Sequence, residues 1–249
     1  MFREFEIFEN EKIEENIFLL KLKKNFPLKA FPGQFAMIRV NDSYDPLLSR
    51  PLSFYKVSEN TIEFLYQVKG KGTYLLSKKR VGERLKILAP LGNSFPMPEK
   101  GEKIAIIGGG MGIVPLSFLL DFIHFLDVNI YSFIGFSTKV SEKIWKNFEE
   151  KSKKFLISTE DGSFGEKGKI LEYISELREF NKVYACGPIP MLKELWKKLE
   201  EKSKLYFSLE ERMGCGIGIC LSCVLMGSKK NLHICKDGPV ISGMEVNFE

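Results

Sequence analysis

Cys215, Cys220, Cys223 and Cys235 put four of the chain's five cysteines close together near its end, spaced C-x4-C-x2-C-x11-C. Thiolates at such spacing bind metal, and the first three spacings match the plant-type [2Fe–2S] pattern. Structural zinc is the other metal that four cysteines could hold, but it usually shows paired C-x2-C arms. Gly214, Gly216 and Gly218 lie among the cysteines. They give a tight loop its backbone freedom and let N–H groups approach the sulfurs closely. His233 sits two residues before Cys235. With four cysteines completing a ligand set, it reads as a surface residue or a support for the ligands.

A second chemical signal is the run KIAIIGGGMGIVP, which places Gly108, Gly109, Gly110 and Gly112 between a buried strand and a helix. Glycines let backbone approach a pyrophosphate, and a helix N-terminus offers free N–H groups and a positive dipole end. Pro115 suits the first turn of that helix. The motif is G-x-G-x-x-P rather than G-x-G-x-x-G, so a purely structural strand–helix turn is the competing reading. Two further loops, Thr159–Ser163 and Cys186-Gly187-Pro188, should lie on the same edge of the sheet. Ligands of such sheets bind outside the carboxyl ends of the strands. Cys186 has two readings: a buried apolar residue, or part of a nicotinamide site.

In the first hundred residues, Arg50-Pro51-Leu52-Ser53 opens a predicted strand and Gly70-Lys71-Gly72-Thr73 follows a later one. An arginine at a strand start can pair with phosphate, and Gly72 and Thr73 can donate hydrogen bonds. A strand-initiating proline and a glycine turn account for the same residues structurally. Pro90-Leu91-Gly92-Asn93-Ser94-Phe95 adds another turn.

The elements that must position these groups fall into three stretches. Up to about Glu99, short runs at Phe2–Phe8, Ile17–Leu22, Gln34–Val40, Leu52–Val57, Thr61–Val68 and Arg84–Leu88 predict a six-stranded antiparallel barrel, with one helical turn near Thr73–Lys79. From Lys103, predicted strands at Lys103–Ile107, Val128–Gly135, Phe155–Ser158, Val183–Ala185 and Leu205–Leu209 alternate with helices at Val114–Phe125, Lys139–Lys151, Lys169–Glu179 and Ile189–Glu201. That alternation predicts a doubly wound parallel sheet. The remainder holds the cysteines and has no long period. The predicted domains are therefore 1–99, 100–209 and 210–249.

At 249 residues, with 44% apolar and 28% charged residues, the composition is that of a globular protein able to bury a core. The 21 Phe and 8 Tyr exclude a mainly disordered chain. A net charge of +5 does not select nucleic acid as a partner. The start, MFREFEIF, carries acids and has no signal-peptide core. The uncharged stretch Ile104–Leu120 is broken by glycines and a proline and is too short to span a membrane. An odd cysteine count with one tight cluster suits a reducing compartment, so a cytoplasmic protein is expected.

Taken in order, R-P-L-S, G-K-G-T, P-L-G-N-S-F, G-G-G-M-G-I-V-P and C-G-P resemble the ferredoxin–NADP reductase superfamily. The tail C-G-I-G-I-C-L-S-C with C-K-D-G-P-V resembles one branch of it, the electron-transfer subunits of type B dihydroorotate dehydrogenase. The resemblance implies that Arg50, Pro51, Leu52 and Ser53 contact FAD. It implies that Leu65, Tyr66 and Gln67 form the next flavin strand, with Gly72 and Thr73 at the pyrophosphate. Gly108, Gly109, Gly110, Gly112, Cys186, Gly187 and Pro188 would hold NAD, and the four clustered cysteines would ligate [2Fe–2S]. An FMN-containing catalytic subunit would be the partner, in a heterotetramer of two plus two that feeds electrons through cluster and FAD to NAD+ during pyrimidine biosynthesis. No separate acid–base constellation is required, because such cofactors carry the chemistry. One alternative is a related NAD(P)H reductase subunit serving ferredoxin, sulfur or a hydrogenase. The other, of a different class, is a nucleotide sensor with a zinc-stabilised tail. NAD versus NADP stays open: Gly135-Phe136-Ser137-Thr138-Lys139 carries no acid at the usual ribose position, and Lys139 has two readings, a contact to a 2′-phosphate or, preferred, a solvated helix start.

Overall fold

The computed structural model describes residues 1–248. The first part comprises β1 (Arg3–Glu14), β2 (Ile17–Lys23), β3 (Phe35–Arg39), β4 (Arg50–Ser53), β5 (Lys56–Val57), β6 (Thr61–Gln67), α1 (Lys71–Ser77) and β7 (Arg84–Leu91). Its antiparallel sheet runs β4-β3-β7-β1-β2-β6-β5. The expected strand 52–57 is split into β4 and β5, one at each end of that order. At the break, Phe54 N–H donates to Gln34 O at 3.3 Å and Tyr55 N–H to Glu63 O at 2.9 Å. One bent strand thus changes partner between consecutive residues, and the sheet closes into the expected barrel. Phe5, Ile7, Leu20, Leu22, Phe64, Leu85 and Ile87 fill it from alternating positions.

β1 runs well past its expected end at Phe8. Its charged second half shows no apolar alternation, yet it pairs with β2 throughout, with Glu9 opposite Lys21 and an ion pair of 2.7 Å between them. Cross-strand pairing supplies what the pattern lacks.

The second part contains β8 (Lys103–Gly109), α2 (Ile113–Ile123), β9 (Asn129–Phe136), α3 (Glu142–Lys151), β10 (Lys154–Thr159), β11 (Glu166–Lys167), β12 (Lys182–Cys186), α4 (Ile189–Lys198) and β13 (Leu205–Ser208). The strands are parallel, in the order β11-β10-β9-β8-β12-β13. Alternate residues of β8 serve opposite faces. Ile104 and Ile106 pack with α2 and α3, while Ala105 and Ile107 pack with α4. The expected helix over 169–179 is instead two short 3-10 turns, Ile170–Tyr173 and Leu177–Glu179. Ile170, Leu171, Ile174 and Leu177 are all buried there, so the helical spacing reported burial correctly but not the hydrogen bonding.

The tail folds as a hairpin of β14 (Val224–Met226) and β15 (Asn231–His233), the short α5 (Ile234–Asp237) and β16 (Val240–Ser242). β16 pairs antiparallel with β13, Ser208 opposite Val240, and becomes the seventh strand of the nucleotide sheet. No helix among the described residues is long and apolar enough to cross a membrane.

Candidate functional site

The loop from Gly214 to Cys223 is organised around sulfur. Backbone N–H groups of Ile217, Ile219 and Cys220 approach Cys215 Sγ at 3.4, 3.3 and 3.4 Å. Cys215 N–H points at Cys220 Sγ (3.3 Å), Gly218 N–H at Cys235 Sγ (3.1 Å) and Cys235 N–H at Cys223 Sγ (3.4 Å). Gly216 and Gly218 take positive φ, 75° and 81°, which turns their neighbours' N–H groups inward. The thiols form two linked pairs, Cys215 with Cys220 and Cys223 with Cys235. Among the described residues no three His, Cys, Asp or Glu side chains are grouped to hold a single ion.

Hydrogen bonding and burial set these thiols apart. Ser222 Oγ accepts from Gly214 N–H at 3.1 Å and lies 3.2 Å from Cys220 Sγ. Contacts from Ser222, with the Cys215 N–H, push the Cys220 thiol down to about 6. Burial works against ionisation of Cys215, but its N–H donors outweigh it and lower that thiol too. Burial pushes the enclosed Cys235 up to about 12.

The loop rests on the barrel. A Cβ at Gly216 would overlap the Met37 side chain of β3. Phe35, two residues earlier on the same face of β3, lines an open cleft together with Pro51, Leu52, Ser53, Leu65, Tyr66, Gln67 and Thr73. Arg50 does not line this cleft. It reaches across to Gly72, where any Cβ would overlap its guanidinium, and its Nη1 donates to Leu48 O at 2.5 Å. Thr73 Oγ1 accepts from the N–H groups of Lys69 and Gly70 at 3.0 and 3.2 Å, shaping the entry to α1. The Tyr66 hydroxyl points away, donating to Asn10 Oδ1 at 3.1 Å.

A second cleft opens over the carboxyl ends of β8, β9 and β12, lined by Gly109, Gly110, Gly112, Gly187 and Pro188. Gly110 has φ +53° and open space where a side chain would start, whereas a Cβ at Gly112 would strike the Cys186 carbonyl. Gly109 is similarly closed off by Met191 and Pro188, at 2.7 and 2.9 Å from a Cβ. Gly108 lies beneath, where it lets Ile113 and Ile134 close on β8. Cys186 is 1% exposed and also lies beneath the cleft, its thiol raised by burial. Gln67, Lys69, Met111 and Glu210 line both clefts, which are therefore continuous.

The electron transfer subunit of dihydroorotate dehydrogenase B (NAD(+)) from Clostridium acetobutylicum is 39% identical over 241 residues, covering 96% of this chain and 95% of that protein. The chain belongs to this family of electron-transfer subunits. The homolog of the same subunit from Aquifex aeolicus is 38% identical over 246 residues, 97% of this chain and 96% of that protein. Residues 210–247 match the iron-sulfur cluster binding domain of dihydroorotate dehydrogenase B. The structure of an NADH-dependent reduced ferredoxin-NADP oxidoreductase has a TM-score of 0.85 at 28% identity and covers 98% of this chain and 90% of that one. A ferredoxin NADP+ reductase from Neisseria gonorrhoeae, with FAD and NADP bound, shares the fold at a TM-score of 0.68 and 17% identity, covering 83% of this chain and 97% of that one.

An electron-transfer subunit has a catalytic subunit as its partner, and the residues described above fit its cofactors. Four thiols in two pairs, met by six N–H donors, suit a two-iron cluster's anionic sulfurs. Lys69, Met111, Val114, Pro115, Glu210, Met213 and Pro239 also line the first cleft, and none of them was expected there from the sequence. Lys69 and Met111 sit inside or beside motifs, whereas Glu210, Met213 and Pro239 are brought there by the tail's return to the barrel.

Proposed function

We propose that this chain is the subunit that carries electrons from dihydroorotate oxidation in a partner to NAD+, within pyrimidine (UMP) biosynthesis. Residues 1–99 would bind FAD, residues 100–209 NAD and residues 210–249 a [2Fe–2S] cluster. Cys215, Cys220, Cys223 and Cys235 would ligate the cluster. Pro51, Leu52, Ser53, Leu65, Tyr66, Gln67 and Thr73 would seat the flavin, with Arg50 and Gly72 beside its phosphates. Gly109, Gly110, Gly112, Gly187 and Pro188 would carry the nucleotide, supported from below by Gly108 and Cys186. A bound flavin exchanges single electrons with a cluster and a hydride with nicotinamide, which makes the chain a converter between the two.

The observation that carries this reading is the continuity of the clefts. Gln67, Lys69, Met111 and Glu210 are common to both, and the cluster loop rests on the strand that supplies Phe35 to the flavin side. The chain's own residues bring the three sites together and orient them. The partner in this proposal holds FMN and assembles with this chain two plus two. The cytoplasm, where thiols remain reduced, suits five unpaired cysteines.

Coexpression with the catalytic subunit tests the proposal. Dihydroorotate should drive NADH formation, and its failure to do so with every cofactor bound would overturn the assignment. Reduced ferredoxin supplied in place of dihydroorotate separates the alternative of a ferredoxin-linked reductase.

A further inference from the structure

The N–H groups that meet the clustered cysteines belong to the backbone and are set by the course of the loop. Ser222 brings a side chain to the same sulfurs. Its Oγ accepts from the Gly214 N–H at 3.1 Å and lies 3.2 Å from Cys220 Sγ. A thiolate ligand carries no proton, so with Cys220 bound to metal the second contact has one direction: the Ser222 O–H donates to the sulfur. The Gly214 N–H occupies a lone pair of the same oxygen and leaves the hydroxyl hydrogen to Cys220.

The loop is shaped for this contact. Leu221 takes a left-handed φ of 57°, alone among the described non-glycine residues. A residue with a Cβ adopts that conformation only at a cost. Here it turns the chain so that Ser222 faces back to Gly214, eight residues earlier. Gly214 in turn lies so near that a Cβ there would stand 3.1 Å from Cys220 Sγ and 3.4 Å from Ser222 Oγ, crowding both partners. Cys220 is exposed, whereas Cys223 and Cys235 are buried. Where water would otherwise meet the Cys220 sulfur in changing orientations, the serine supplies one fixed donor.

We propose that Ser222 raises the reduction potential of the cluster by donating its hydroxyl hydrogen to Cys220 Sγ. The inference rests on the reading of the four cysteines as [2Fe–2S] ligands. One-electron reduction adds negative charge to the ligand sulfurs, and a donor aimed at one of them favours the reduced form. The hydroxyl therefore eases the arrival of electrons from the partner and makes their onward passage to FAD less steep.

Redox titration of the holoprotein, followed by the EPR signal of the reduced cluster, reads the potential without turnover. Ser222→Ala should move the reduced-to-oxidised ratio at a fixed solution potential about three- to tenfold toward the oxidised form. With a tenfold change worth about 59 mV for one electron, that is a fall of about 30–60 mV. Water reaching the exposed sulfur keeps the effect from being larger. Ser222→Thr keeps the hydroxyl and should retain the wild-type potential. An unchanged potential in Ser222→Ala with full iron content overturns the proposal. So does an equal fall in Ser222→Thr, which would assign the effect to packing. Loss of iron from Ser222→Ala would make the serine a structural support and overturns it as well. A wild-type holoprotein without a [2Fe–2S] spectrum would overturn the cluster reading itself and this inference with it.

Discussion

Asn93 Nδ2 donates to the Val240 carbonyl at 2.7 Å while Asn93 Oδ1 accepts the Val240 N–H at 2.9 Å. The same amide donates to Asp237 O at 3.1 Å, and the Asn93 N–H donates to Gly238 O at 2.8 Å. The barrel's last turn is thereby fastened to the segment that follows Cys235. Asn93→Ala leaves Val240's groups without partners, at a cost of about 1–3 kcal/mol for each group that stays buried. A lower Tm and faster loss of the cluster's visible absorption should follow. An unchanged Tm would show that water replaces the amide.

Gly72→Ala should weaken FAD retention without unfolding the barrel. The added Cβ overlaps the Arg50 guanidinium, and a flexible side chain can swing away. Displacing one charge-assisted phosphate contact should weaken flavin binding by about tenfold. Flavin content after dialysis and the circular dichroism spectrum are the two readouts. Full flavin occupancy would remove Arg50 from the phosphate site.

Gly216→Ala should cost the loop its seat. A left-handed residue with a Cβ loses about 1 kcal/mol, and overlap with Met37 adds about 1–3 kcal/mol more. Iron content should fall, and Met37→Ala in the same protein should restore part of it by relieving the overlap alone.

Removal of the cluster should expose thiols of unequal reactivity. Cys220, pushed down to about 6, should alkylate with a midpoint near that pH, while Cys235, up at about 12, and buried Cys186 resist. Ser222→Ala should move the Cys220 midpoint upward. Equal rates at Cys220 and Cys235, followed by mass spectrometry, would contradict the hydrogen-bond account.

A stability effect remote from the clefts is also expected. Burial alone would raise the Glu102 carboxyl, but Lys182 Nζ, 2.6 Å from both oxygens, and the Glu99 N–H hold it below the ordinary range. A depressed folded value stabilises the protein above the unfolded value of about 4.3, and that contribution disappears as pH falls through the folded one. The Tm gap between wild type and Lys182→Met should therefore be full at neutral pH and close in acid.

The chemistry was legible where it depends on spacing along the chain. Four cysteines, a glycine loop after a buried strand and R-P-L-S each sit in short contiguous runs. What escaped was pairing across distance. β16 is three residues long, too short for a period, and only its pairing with Tyr206, Phe207 and Ser208 of β13 makes it a strand. Glu210 and Met213 precede the cysteines without any pattern and reach the cleft beside β4 and β6 because the tail folds back. The segment 169–179 shows the opposite failure, a clear helical spacing that resolves into 3-10 turns with the same buried residues.

β16 also guards β13. Without the last segment, the parallel sheet would end in an open edge, and Leu205–Ser208 would present unpaired backbone to any neighbouring chain. The cluster module is thus not an appendage that can be trimmed to leave a clean two-domain reductase. A chain cut after residue 209 would carry a ready template for strand addition and should self-associate.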